Sequence, residues 1–333
     1  DLRTHAQVTR IVFDAQRAKG VAYVRGGPHG QVREVHARRE VIVCAGAINT
    51  PRLLQLSGLG DADFLQQAGI RVQRHAPGVG QNLSDHFSVR LVARAKNVRT
   101  MNEMARGLGL VGQVARWLVG QPSILALSPS LVHFFWKSRH ELTRPDLQGV
   151  FSPASYREGY VGMLDTYPGM TCGVWQHRPE SRGTVQVRSS DPFEPPLVQP
   201  NYLVKEGDRK TLIDGVRLAR TLLHTPELSH YVEEESMPGP GKISDEELLA
   251  FIRQYGVSSY HLNGTARMGA HEDPMAVVGS DLRVHGIPGL RIADSSVMPA
   301  IPSANICAAT MMIAEKAADM ILGRAALPAE TIP

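Results

Sequence analysis

A chain of 333 residues, 43% hydrophobic and 20% charged, has the balance of an ordinary globular protein and enough length for two domains or one large one. Its net charge of +4 does not make it a nucleic-acid binder, because the Lys and Arg residues are scattered and only 8 Phe and 8 Tyr are on hand to stack bases. The three cysteines, Cys44, Cys172 and Cys307, are far apart with no CxxC pair, which argues against a disulfide framework or a zinc site and for a reducing, cytoplasmic setting.

No uninterrupted apolar run reaches the roughly 18 residues of a membrane-spanning helix, and no signal-peptide pattern opens the chain. The first residue is Asp1, and the sequence runs at once into strand-like alternation from Val8 to Phe13, so a preceding segment is expected. A turn from Asp14 to Gly20 leads to Val21-Ala22-Tyr23-Val24, and Gly26-Gly27-Pro28 turns the chain back toward Val32 to Val35. The pattern predicts a small antiparallel meander.

Val41-Ile42-Val43-Cys44 is an unbroken apolar run of the kind found in strands buried on both faces. Ala45-Gly46-Ala47 follows, and Thr50 with Pro51 predicts an N-cap and first position for a helix ending at Ser57-Gly58. A buried strand, a small-residue turn and a helix N-terminus suit the close approach of a nucleotide phosphate. The same corner occurs in any α/β protein, so by itself it assigns no function.

From about residue 87 to 254 the character changes. Met101 to Val119 sets Leu110, Val111, Val114, Trp117 and Leu118 on one helical stripe, and Ser123 to Trp136 is apolar with few charges. The stripe could touch a membrane or line a pocket mouth. A helix packed on its own domain is the preferred expectation, because Arg106 and Arg116 do not make a basic polar face. Gly183 to Arg188 alternates as a strand, and Lys205 to Leu223 has the spacing of a surface helix. The last third returns to short strands and small-residue turns. Gly289 to Ala293 predicts a strand ending at Asp294, an acid that either binds a ribose or caps a turn, and a helix opening near Asn305 turns Ile306, Ile313, Ala317 and Ile321 inward before stopping at Gly323.

Four ordered stretches carry a resemblance. Gly46 to Gly60, with its small residues, Thr50-Pro51 and Ser57-Gly58-Leu59-Gly60, resembles the second signature of the glucose-methanol-choline oxidoreductases. Pro77-Gly78-Val79-Gly80-Gln81-Asn82-Leu83-Ser84-Asp85-His86 resembles a further element of that family. So do His261 to Gly269 and the tail from Val284-His285-Gly286 through Asp294 to Asp319. The resemblance runs almost end to end and lies nearest the choline-dehydrogenase-like branch.

The resemblance implies an α/β fold with a mixed or antiparallel second sheet, FAD as cofactor, and oxidation of a CH–OH group of a primary alcohol or polyol. It implies an FAD-binding domain from residues 1–86 and 270–325 and a substrate-binding domain from 87–269. The strand, Gly-rich phosphate loop and helix with which the family begins do not precede the Ala45-Gly46 corner in these residues, so a missing N-terminal segment of the same protein is the expected partner, beside a small-molecule alcohol.

By the same resemblance His261 is the catalytic acid or base. An imidazole suits that work because its pKa lies near working pH. Asn305 stands where family members carry His or Asn as a second active-site residue, and it also suits an N-cap. The resemblance places Val8, Ala45, Gly46, Asp294, Ser295, Asn305 and Ile306 along the cofactor, with the helix N-terminus near Asn305 offering a positive dipole end. It assigns no chemical step to Asp85 or His86. No metal is expected, since the spacing of His261, His271 and His285 fits no usual ligand set. A hydroxynitrile lyase on the same scaffold and a cofactor-free, inactive fragment are the alternatives.

Overall fold

The computed structural model describes every residue except 129, 158–161, 326, 327, 329 and 331–333. Its contacts divide the chain into two compact units, Asp1–Asp85 with Ser181–Tyr202 and Tyr260–Pro333, and His86–Glu180 with Leu203–Ser259. The expected boundaries were 1–86, 87–269 and 270–325. Two stretches expected in the middle domain, 181–202 and 260–269, therefore group with the first unit. For the earlier one the physical reason is a set of hydrogen bonds: Leu83 and Gly183 exchange backbone bonds, the Val185 N–H donates to the Gly80 carbonyl, and a buried side chain adds two more. Gln55, 2% exposed, donates from Nε2 to the Val185 carbonyl at 3.0 Å and accepts the Val187 N–H at 2.8 Å, holding the hairpin Thr184–Gln186 and Leu197–Gln199 much as a neighbouring strand does.

The first unit opens with the expected meander, Ala6–Asp14, Arg17–Arg25 and Val32–His36, antiparallel throughout. The first turn is tighter than read: Asp14 pairs with Arg17, leaving Ala15 at φ 50° and Gln16 between them. Gly20 is required where it stands, because a Cβ there would lie 2.1 Å from the Val35 carbonyl oxygen of the next strand.

Val41–Val43 pairs in parallel with Leu290–Ile292, which joins the two ends of the sequence in one core. Ile11, Leu54, Leu59, Val278, Leu290 and Ile292 are each 0–2% exposed in it. Each such side chain contributes about 1.5–3 kcal/mol over its exposed state. The strand is not buried on both faces as its apolar run suggested. Val41 and Val43 are buried while Ile42 is 41% exposed and Cys44 is exposed, the period-2 alternation of a strand with one face on a core. The helix Cys307–Leu322 turns Ile313 and Ala317 into the same core and ends at Gly323, whose φ of 68° is the left-handed stop that glycine makes cheap.

The second unit is built on an antiparallel sheet in the order Val232–Met237, Phe87–Ala95, Gly169–Gln176, Leu147–Ser152 and Val132–Trp136, with Val257–Ser258 also on Phe87–Ala95. The helix Glu206–Leu223 lies on it. It buries Leu212, Ile213, Val216, Ala219 and Leu223, and Gly215 leaves only the width of a hydrogen against Leu147 and Val174.

The helix expected over Met101 to Val119 breaks in two, Met101–Met104 and Gly107–Leu118, at Arg106, which is extended, and Gly107, at φ 49°. The second piece overturns the expectation of packing on its own domain, for it has no buried residue at all.

Candidate active site

At the end of Leu290–Ile292 the chain delivers a buried carboxylate, Asp294, to the start of the helix Gly46–Leu56. Its Oδ2 accepts the Gly46 N–H at 2.9 Å and the Thr50 hydroxyl at 2.6 Å, and its Oδ1 accepts the Ser296 N–H at 2.8 Å. A carboxylate here satisfies an N–H that the helix cannot and sits at the favourable end of its dipole. Asp294 thus caps, as one of its two sequence readings had it.

The helix starts four residues earlier than Thr50, so the predicted cap is wrong. Thr50 instead reaches back, accepting the Ala45 N–H at 3.2 Å. Pro51 consequently sits inside the helix, where it has no N–H to offer the Ala47 carbonyl. That carbonyl takes the Thr265 hydroxyl at 2.7 Å, so the acceptor left free by the proline is satisfied. At this helix end the protein's own carboxylate takes the Gly46 N–H.

Beside this corner lies a groove of about 470 Å³ lined mainly by apolar groups of Val8, Val21, Val35, Val41, Val43 and Ala45. Gly46, at φ 78°, faces open space where a side chain would stand. Val8, Ala45, Gly46 and Asp294 therefore form a contiguous set. Ser295, next in sequence, donates its hydroxyl to the Leu262 carbonyl at 3.1 Å and so ties this set to the segment that carries His261.

His261 is held from several sides. Its backbone N–H donates to Asp85 Oδ1 at 2.8 Å, and Asp85 Oδ2 accepts the Tyr202 hydroxyl at 2.5 Å. Its carbonyl accepts from Asn263 Nδ2 at 2.9 Å. The preceding Tyr260, at φ 59°, occupies a left-handed conformation that costs a non-glycine residue energy and turns the chain sharply into the site. The ring itself meets Asn305, whose Nδ2 lies 3.2 Å from Nε2. An amide nitrogen only donates, so in this arrangement Nε2 carries the lone pair. Burial pushes the imidazole below its ordinary pKa, with the Asp85 carboxylate opposing, which favours the neutral ring at pH 7.

Asn305 and Ile306 precede the helix Cys307–Leu322. Ile306, not Asn305, is its N-cap, which frees the Asn305 amide for His261. His86 parts from Asp85 and is buried in the second unit, its Nε2 2.8 Å from the His177 carbonyl oxygen. His271 and His285 pack ring to ring at 5.3 Å, and among the described residues no group of three or more His, Cys, Asp or Glu side chains could hold a metal.

Sequence reasoning missed Tyr202, whose only signal is a contact made across more than a hundred positions. It also missed what Asp85 does, since the pattern marked the residue without its partner. Three buried polar atoms close to the His261 segment, Ser84 Oγ, Asn263 Oδ1 and Ser296 Oγ, have no hydrogen-bond partner among the described residues. Buried polar atoms of this kind require a partner from somewhere.

The carboxylate-capped helix and the histidine faced by an amide both lie in stretches that the motifs had marked. The chain belongs to the GMC oxidoreductase family: the model of its N-terminal part matches residues 1–88 and that of its C-terminal part residues 179–314. An oxygen-dependent choline dehydrogenase of Cronobacter sakazakii is 39% identical over 98% of this chain and 58% of its own length, and one of Escherichia coli is 37% identical over 99% and 59%. The chain thus spans less than two thirds of the length of these relatives. Among solved structures, a formate oxidase superposes with a TM-score of 0.87 at 26% identity, covering 96% of this chain and 60% of its own. Pyridoxine 4-oxidase from Mesorbium loti superposes at 0.81 and 25%, covering 96% and 58%.

Proposed function

We propose that the protein is an FAD-dependent oxidoreductase that converts the CH–OH group of a small primary alcohol or polyol to a carbonyl. The observation that carries this reading is His261 Nε2 facing the Asn305 amide at 3.2 Å on a backbone anchored by Asp85. A neutral imidazole with its lone pair in the site can take a hydroxyl proton at Nε2. The Asn305 amide beside it can donate to the same oxygen and stabilise the alkoxide as it forms.

The residues present fit the cofactor. An apolar groove beside Val8, Ala45 and Gly46 suits a flat aromatic ring system, and the unpartnered Ser84 Oγ, Asn263 Oδ1 and Ser296 Oγ suit polar atoms of a bound group. Val8, Ala45, Gly46 and Ser295 would hold it, with Asn305 and Ile306 at its reacting end and Asp294 fixing the corner between them. When bound, FAD supplies the acceptor for the hydride leaving the carbinol carbon. Choline is the first substrate to try, because the curated relatives described above are choline dehydrogenases. Anaerobic addition of choline and a panel of primary alcohols to the flavin-loaded protein should bleach the flavin absorbance. A loaded protein left unbleached by all of them would refute the reading, and cleavage of a cyanohydrin without bleaching would favour a lyase.

A further inference from the structure

The helix Gly107–Leu118 is amphipathic the wrong way round for a protein interior. At 3.6 residues per turn, Trp117, Leu110, Val114, Leu118 and Val111 fall on one arc of about 120°. That arc faces solvent, with Leu118 70%, Val111 64% and Trp117 54% exposed. The side turned to the protein is the polar one. There the Gln113 side chain accepts the Ile124 N–H at 2.9 Å and its carbonyl accepts the Ser123 hydroxyl at 2.9 Å, while Gly109 lies against the Glu103 carbonyl. The apolar surface continues over Leu125 and Leu127 and onto one face of the edge strand Val132–Trp136, where Val132 and Trp136 are about half exposed.

Charge decides what suits this face. Between Glu103 and Glu141 the chain has no Asp or Glu, and Lys137 and Arg139 stand exposed just past the apolar edge strand, while Arg106 and Arg116 donate to the Asp165 and Pro122 carbonyls. A second copy docked face to face would bring these like charges together, which opposes association. Anionic lipid headgroups complement them, while Trp117, Leu118 and Val111 enter the boundary of the acyl chains and Trp136 suits the headgroup level. Among the described residues no helix is long and apolar enough to cross a membrane, so the helix would lie in the interface plane. We propose that the helix Gly107–Leu118, with Leu125, Leu127, Val132 and Trp136, forms a docking face for an anionic lipid bilayer surface.

The test is flotation of the purified protein with phosphatidylcholine vesicles containing phosphatidylglycerol, and with phosphatidylcholine alone. The protein should float with the anionic vesicles, with a blue shift of tryptophan emission. Binding should fall at about 1 M salt, where charges are screened beyond about 3 Å. A Val111→Glu, Leu118→Glu double variant should lose at least about tenfold in affinity while keeping the parent circular dichroism and Tm, since both positions are exposed. No flotation, equal flotation with neutral vesicles, or an unaffected double variant would each overturn the proposal. So would a dimer in light scattering that the double variant abolishes, because a second copy would then cover the face.

Discussion

The corner around His261 and the helix Gly107–Leu118 treat side chains in opposite ways. At the first, polar atoms are buried and tied to several partners: Asp85, 4% exposed, accepts from both the His261 backbone and Tyr202, and Asp294, 7% exposed, serves three donors. At the second, apolar side chains stand in solvent and the helix buries none of them. A buried polar group without a partner costs free energy, so a network like the first persists only if each member keeps its place. An exposed apolar face costs little inside its own fold and gains only against another surface. Substitutions should therefore damage the first region through chemistry and stability, and the second only through association.

The largest effect should come from His261→Ala. Loss of a positioned acid or base slows the step it assists by about 10² to 10⁴. Anaerobic stopped-flow should show flavin reduction slowed to that degree with flavin content unchanged. Next is Asp294→Ala, which leaves the Gly46 N–H, the Thr50 hydroxyl and the Ser296 N–H without their acceptor. It should cost about 2–3 kcal/mol in urea unfolding, and a variant as stable as the parent would show that the corner is not held as described.

Asn305→Ala should slow flavin reduction by about tenfold, less than the histidine, because an amide donates a hydrogen bond but takes no proton at neutral pH. A slower Asn305→Ala than His261→Ala would reverse the two roles. Smallest of all, Val111→Ser or Leu118→Ser should leave stability within about 0.5 kcal/mol of the parent. A larger loss by thermal unfolding would mean that the helix packs on its own chain after all.

How much of this was legible in the sequence follows the same division. Local patterns carried the meander, the Glu206–Leu223 helix and the helix that stops at Gly323, because period and turn chemistry are written within a few residues. Motif resemblance carried His261 and Asn305, which the structure brings within 3.2 Å of one another. The start of the Gly46 helix was misread because Thr50-Pro51 is a strong local start signal. Its override depends on Asp294 and Thr265, each more than two hundred residues away. Tyr202 was invisible for the same reason. The outward helix was misjudged because a stripe of apolar residues gives its own width but not the direction it faces.

The most direct test of the central claim is the pH dependence of the flavin reduction rate. His261 acts through its neutral form, and burial lowers its pKa from 6.5, so the neutral fraction rises with pH and predominates at pH 7. The rate in the parent should climb from acid pH to a plateau, with its half-point below 6.5, and this rise should vanish in His261→Ala, leaving a low rate without that inflection. A half-point well above 6.5, or the same inflection kept in His261→Ala, would contradict the assignment of His261 as the base.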